Sequence, residues 1–260
     1  MTWSARQYSK FEAERNRPVV DLLAHVQTSP VRLAADIGCG PGNSTALLAD
    51  HYPAASVTGM DSSADMIDAA RQRLPDVHFE VDDIATWRNH GPFDVILANA
   101  ALQWVPDHVR LLPMLLGRLA PGGSLAVQVP DNLAEPSHVL ARDLATGRWP
   151  GRLDRAWESW DNRHPADFYH RVLSEAGASV DIWRTSYFHQ LAGPDAIVEW
   201  FKGTMLRPFL DLLDAAERTD FLTAYRQLIA DAYPTLPDGT VLLPFPRLFI
   251  VAQRPSALVP

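Results

Sequence analysis

The residues best suited to chemistry in this sequence fall at four points in its first half. In "ADIGCGPGNSTALLAD" the glycines Gly38, Gly40 and Gly42 alternate, directly after a short apolar run and directly before a helical one. Glycine permits positive φ and removes the side chain that would keep a ligand away from the backbone. A strand, a glycine-rich turn and a helix N-terminus together form a nucleotide-binding corner. Two versions of that corner do not fit. A dinucleotide fingerprint needs its third glycine at position 43, which is Asn43, and a phosphate loop needs a lysine that is not nearby. Asp36, just ahead of the loop, would repel phosphate and attract an ammonium or another cationic group. The plain alternative is a tight turn with no ligand.

Three further points follow in register. Asp61 closes "ASVTGMD", where a carboxylate can accept both hydroxyls of a ribose; with Ser62 and Ser63 next, a helix N-cap is the alternative. "VDDI" offers Asp82 or Asp83 to an adenine amino group and Ile84 to the face of the ring, against the alternative of a solvated acid pair. "NAALQW" ends a continuous apolar run, so Asn99 and Ala100 can reach a cofactor and Trp104 can wall its pocket.

The elements that must hold these residues alternate. "RLAADIG", "ASVTGMD", "VHFEVDD", "FDVILANAA" and "SLAVQVPD" read as strands. Between them, "NSTALLADHY" reads as a helix capped by Asn43 or Ser44. "SADMIDAARQRL" has Met66, Ile67 and Ala70 on one face and is stopped by Pro75, and "PDHVRLLPMLLGRLAPGG" is a helix closed by Pro-Gly-Gly. This rhythm predicts an α/β fold with a doubly wound parallel sheet, whose ligands sit beyond the carboxyl ends of the strands. The second half changes character. Residues 130–163 are a partly helical excursion, "PADFYHRVLSEAG" a helix and "SVDIWRTSYFHQL" an alternating strand. The stretch from "PDAIVEW" to "IADAY" is a helical block, and "FPRLFIVAQR" a last strand.

Composition narrows the partners. Of 260 residues, Lys+Arg number 23 and Asp+Glu 31, a net charge of −8. That balance argues against nucleic acid and anionic membranes as partners. One cysteine, Cys39, rules out an internal disulfide and makes a cysteine-ligated metal site improbable. His25, His51, His78 and His90 lack ligand spacing, so no metal is expected. With no apolar leader and no membrane-length run, the chain reads as soluble and cytoplasmic. "RWPGRLDRAW" interleaves Arg and Trp as some nucleic-acid binders do, but on an acidic chain a substrate-loop role is preferred.

"DIGCGPG", "GMDSSADMI", "VDDI" and "ANAALQW" together resemble the class I S-adenosylmethionine-dependent methyltransferases. "FEAERNRP", "LQWVPDH", "VDIWRTSYFHQ" and "FPRLFIVA" extend the resemblance over nearly the whole chain, toward members that esterify one carboxylate of trans-aconitate. The resemblance implies a Rossmann-like sheet of seven strands, the last antiparallel, with a helical cap inserted before the last strand. The whole of 1–260 would be one domain. Within it, 1–30 would be an N-terminal helical cover, 31–130 the cofactor-binding half, and 131–163 and 191–240 the substrate-side loop and helical cap.

It further implies S-adenosylmethionine as cofactor, S-adenosylhomocysteine as product, a small tricarboxylate as substrate, and no metal. Asp36, Gly38 and Gly40 would face the methionine portion, with Asp61 and Ser62 at the ribose. Met66 and Ile84 would flank the adenine, Asp82 and Asp83 would lie near its amino group, and Asn99 and Ala100 on the floor. A tricarboxylate calls for planar donors. Arg184, Arg207 and Arg247 are the candidates, with Tyr187 and His189 adding hydrogen bonds and Tyr8 and Arg17 in reserve. Trp104, beside a sulfonium, joins Arg184 and Arg247 as a candidate for the catalytic role. Other readings are a different small carboxylate or carrier-bound acceptor, a nicotinamide dehydrogenase, and a non-catalytic cofactor-binding module.

Overall fold

Leu33–Ile37 forms β1, an interior strand of a sheet, and its sequence, Leu-Ala-Ala-Asp-Ile, is apolar apart from Asp36 because both faces are covered. Its neighbour β4 (Phe93–Asn99) has the same character, with Val95–Ala98 wholly buried, while its other neighbour β2 (Ser56–Asp61) buries Val57, Gly59 and Met60. β3 (His78–Val81) pairs with β2, and β5 (Leu119–Pro130) with β4. All four of these ladders are parallel. The chain is described here from a computed structural model, which covers residues 12–88, 91–154, 156 and 162–256, with backbone alone for 12–15.

The sheet has seven strands in the order β3-β2-β1-β4-β5-β7-β6, where β6 is Ser179–Leu191 and β7 is Val241–Gln253. The order reverses beside β1, the topological switch point where ligands of open α/β sheets bind. The register pairs Ile37 with Met60, Asp61 with Val81, and Asp36 with Leu97. The carboxyl ends of β1 to β4, with every residue singled out in the first half, therefore reach one edge of the sheet.

The chain divides into two compact units. The first holds the described residues up to 129, 162–184 and those from 248 on; the second holds those between 130 and 161 and between 185 and 247. In the first, α1 (Glu12–Leu23), α2 (Asn43–His51), α3 (Ala64–Arg73), α4 (His108–Gly117) and α5 (Ala166–Glu175) accompany the strands. Its main core joins Ile37, Ile96 and Val127 of the sheet to Leu111, Leu112 and Leu115 of α4 and to Tyr169 and Leu173 of α5. Met66, Ile67 and Ala70 are the buried face of α3, as the sequence predicts.

In the second unit α6 (Pro136–Arg148) packs with α9 (Ala215–Ala232), which buries Phe221, Tyr225 and Ile229 at four-residue intervals. The Tyr225 hydroxyl donates to the Ser137 carbonyl at 2.9 Å, and the Ser137 N–H donates to the Tyr233 hydroxyl at 3.0 Å. The remaining helices here are α7 (Pro194–Lys202) and α8 (Arg207–Leu210).

Three local expectations change. α2 is capped by Gly42 at φ 86°, not by a side chain. The segment after α4 enters β5 at Leu119, because Leu119 pairs with Phe93 across a register shift, so "LAPGG" belongs to the strand. The block from Pro194 to Ala232 is three helices, the last started by a capping box between Asp214 and Glu217. No helix among the described residues is long and apolar enough to cross a membrane.

Candidate active site

The loop after β1 shows why two of its glycines are glycine. Gly38, at φ 74°, donates its N–H to the Met60 carbonyl at 2.8 Å, and a Cβ on it would lie 2.4 Å from the Ala101 Cβ. Gly40, at φ 54°, has nothing within 4 Å of the place a Cβ would take. The first glycine is required by packing. The second leaves open space beside the backbone, as a ligand cradle needs.

Asp36 is fully buried, and its Oδ2 accepts hydrogen bonds from Ser44 Oγ and Thr45 Oγ1, both at 2.7 Å. Its Oδ1 is buried with no hydrogen-bond partner. Burial drives the carboxyl pKa up to about 6, against the two hydroxyl bonds and with help from the charge of Asp61. A buried anion with one unanswered oxygen favours a cation. Asp61 sits half-buried at the end of β2, where burial again raises its pKa. Its Oδ1 accepts from the Ser63 N–H and its Oδ2 from the Gly40 N–H, each at 2.9 Å. A carboxylate offers about four lone-pair sites, so capacity for two hydroxyl donors remains. The cap of α3 is Ser63, not Asp61.

Beyond β3, Asp82 gives both oxygens to the backbone, at 2.8 Å from the Asp83 N–H and 3.1 Å from the Arg88 N–H. Asp83 is exposed, and its Oδ1 caps the short turn Ile84–Thr86 through the Ala85 N–H at 2.8 Å. Met66 and Ile84 are buried and Ser62 is exposed.

The turn after β4 is held unusually firmly. Ala100 stands at φ 52°, a strained region for a residue with a Cβ. Its N–H donates to the Gln128 carbonyl at 2.8 Å, and its carbonyl accepts from Gln103 Nε2 at 2.7 Å. His108 Nε2 lies 2.9 Å from the Leu102 carbonyl, and its Nδ1 lies 3.2 Å from the Tyr169 hydroxyl. Burial holds the His108 pKa down, so the imidazole is neutral with its proton on Nε2. Two acceptors in this turn, Asn99 Oδ1 and Gln103 Oε1, are buried without a partner. The sequence "NAALQW" points to Asn99, Ala100 and Trp104 and not to Gln103, whose one signal is an amide within an otherwise apolar run. Trp104 is 37% exposed.

The acceptor candidates divide. In the second unit, Tyr187 and His189 of β6 and Arg247 of β7 come together. His189 stacks on Trp200 at 4.8 Å and lies 5.5 Å from Phe245, Tyr187 is parallel to His189 at 6.5 Å, and the Arg247 guanidinium lies 4.7 Å over Phe245. Arg247 is only 4% exposed, so its charge acts in surroundings from which water is largely excluded. Arg207 is half-buried, with Nε 3.5 Å from Asp211. Arg184 is exposed and belongs to the first unit, as does Arg17, exposed on α1. Tyr8 and His90 lie outside the described residues.

Some residues are accounted for by structure. Cys39 is buried and its thiol pKa is pushed up, leaving an inert spacer. Arg148 pairs with Asp220 at 2.6 Å and Arg152 with Glu217 at 2.5 Å, so these two arginines of "RWPGRLDRAW" face acids. Among the described residues no group of His, Cys, Asp or Glu could hold a metal ion.

A family model described as a methyltransferase domain matches residues 34–123, the segment from β1 into β5. The trans-aconitate 2-methyltransferase of Methylobacterium nodulans is 52% identical over 254 residues, covering 97% of this chain and 98% of that protein. The enzyme of the same name from Escherichia coli is 50% identical over 253 residues, covering 97% and 98%. Among solved structures, the YcgJ protein from Bacillus subtilis superposes with a TM-score of 0.61 at 12% identity, covering 93% of this chain and 100% of its own. Phosphoethanolamine N-methyltransferase 2 of Haemonchus contortus, solved with S-adenosyl-L-methionine, gives 0.57 at 16% identity, covering 94% of this chain and 53% of its own. At these identities the two structures speak to the fold, which is the Rossmann-like class I methyltransferase fold.

Proposed function

The chain belongs to the trans-aconitate 2-methyltransferase family, and we propose that it transfers a methyl group from S-adenosylmethionine to one carboxylate of trans-aconitate, releasing the monomethyl ester and S-adenosylhomocysteine. The observation that carries this reading is the row of groups at the ends of β1, β2 and β4. Asp36 Oδ1 and Asn99 Oδ1 are buried acceptors without partners, Gly40 opens onto space, and Asp61 keeps lone pairs free beside it. These fit a ligand with an ammonium, a sulfonium and a ribose diol.

When bound, S-adenosylmethionine supplies a methyl group made electrophilic by its sulfonium. Asp61 takes the ribose hydroxyls. Met66 and Ile84 form apolar walls for the adenine, with Asp83 toward its amino group. Asp36 supplies negative charge where burial makes it most effective. Trp104 offers a π-face to the cation.

The acceptor needs no base, because a carboxylate is ionised at neutral pH. The protein's contribution is alignment and removal of water from the nucleophile. Arg247, with His189 and Tyr187, holds the carboxylates that do not react, and burial among Trp200 and Phe245 strengthens that hold. Arg207 and Arg184 rank below it because the one is half-buried and the other exposed. Incubation with S-adenosylmethionine tests the reading. S-adenosylhomocysteine should accumulate only when trans-aconitate is added; no accumulation would contradict it.

A further inference from the structure

Gln103 is 5% exposed, and its side-chain amide is used on one side only. Nε2 donates to the Ala100 carbonyl at 2.7 Å, while Oε1 is buried with no partner. Turning the amide over would set Oε1 against the Ala100 carbonyl, two acceptors face to face, so the orientation is fixed by its one bond. Buried amide oxygens without a donor are rare in folded proteins because the loss of water is not made good. Among the described residues none donates to Oε1, which leaves it able to accept from a bound molecule.

The chemistry of that donor can be narrowed, on the methyl-donor reading given above. A polycarboxylate acceptor is fully ionised near neutral pH and carries no N–H, so it is a poor partner for a carbonyl oxygen. The methyl donor carries three kinds of donor: an adenine amino group, ribose hydroxyls and an ammonium. Asp83 and Asp61, at the ends of β3 and β2, are assigned the first two. Gln103 follows β4, which lies on the opposite side of β1 from β2 and β3. The remaining donor is the ammonium, and Asp36, buried on β1 in register with Leu97 of β4, is the acid already assigned to that end of the ligand.

We propose that Gln103 is a ligand-contacting residue of the methyl-donor site: its Nε2 fixes Ala100 in the strained turn, and its Oε1 accepts a hydrogen bond from the ammonium of the bound cofactor. The amide thus links the shape of the turn to recognition of the amino-acid end of the ligand.

The test is a binding cycle by calorimetry, with no turnover involved. S-adenosylhomocysteine and its desamino analogue, with hydrogen in place of the amine, are titrated into wild type, Gln103→Met and Gln103→Glu. Loss of the amine should weaken binding to wild type about tenfold or more, the scale of a hydrogen bond to a charged group. In Gln103→Met, which fills similar space without an amide, that penalty should shrink by at least about fivefold. In Gln103→Glu, which presents a charged acceptor, the amine should matter more than in wild type. An equal penalty in wild type and Gln103→Met would overturn the proposal. So would an unchanged or smaller penalty in Gln103→Glu, which keeps the test decisive should the methionine variant not fold. Failure of wild type to bind S-adenosylhomocysteine at all would instead overturn the methyl-donor reading on which the proposal rests.

Discussion

The Gly40 backbone N–H donates to Asp61 Oδ2 at 2.9 Å, tying the loop after β1 to the carboxylate that ends β2. One acid therefore holds the cradle in shape and presents its remaining lone pairs beside the open face of the same glycine.

Asp61→Ala should cost the cofactor far more than the acceptor. It removes two backbone anchors and the proposed ribose contact, each a bond to a charged group. S-adenosylhomocysteine should bind at least about 30-fold more weakly, roughly 2 kcal/mol. The KM for trans-aconitate at saturating cofactor should change by less than about threefold. Calorimetry on the variant decides, and wild-type affinity would remove Asp61 from the ribose role.

Gly38→Ala and Gly40→Ala should fail in different ways. At Gly38 the new Cβ would meet Ala101 at 2.4 Å with φ at 74°, so stability should fall by about 2–3 kcal/mol. At Gly40 the Cβ meets nothing and only φ is strained, a cost of about 1 kcal/mol, but the methyl projects into the cradle. Thermal melting should single out the first variant and cofactor titration the second. The reverse pattern would show the open face of Gly40 to be plain surface.

Asp36 should make the ligand-free protein less stable as pH rises. Its folded pKa, about 6, lies above the 3.8 of an ordinary aspartate. Between those values the native state holds a proton the unfolded state has lost, so stability falls across that window. Above about pH 6 the full cost persists, on the order of 3 kcal/mol. Asp36→Asn should flatten this slope and raise the melting temperature of the free protein at pH 7.5 by several degrees, while weakening cofactor binding. Melting curves between about pH 4 and 8 check the first effect and calorimetry the second. A variant less stable than wild type at pH 7.5 would count against a buried, destabilising anion.

Arg247→Lys keeps the charge but loses the planar fork. The KM for trans-aconitate should rise by about tenfold or more with little change in cofactor affinity. Arg184→Ala should do less, since Arg184 is exposed. Steady-state kinetics compares the two, and unchanged KM in both would remove the arginines from the carboxylate site.

Much of the cofactor half was legible in the sequence because it is local. Apolar runs such as "VILA" admit one reading as central parallel strands, and the acids at their ends are placed by strand register alone. What was not legible depends on which partner a polar group selects across the fold. Ser44 reads as a helix cap but spends its hydroxyl on Asp36. Gln103 reads as filler in an apolar run until the positive φ of Ala100 shows what its amide supports. The aromatic setting of Arg247 is completed only when His189 of β6, far away in sequence, arrives beside Phe245, the ring under the guanidinium. For the same reason Arg184, Arg207 and Arg247 looked alike in sequence, yet differ in burial and surroundings.

The central claim, a carboxylate-directed methyl transfer, is tested most directly with labelled S-adenosylmethionine and a panel of trans-aconitate, cis-aconitate, citrate, isocitrate, a phenol and an amine. Label should appear with trans-aconitate, in a product that base hydrolysis releases as methanol. Label carried by the phenol or the amine, or by no acceptor, would contradict it.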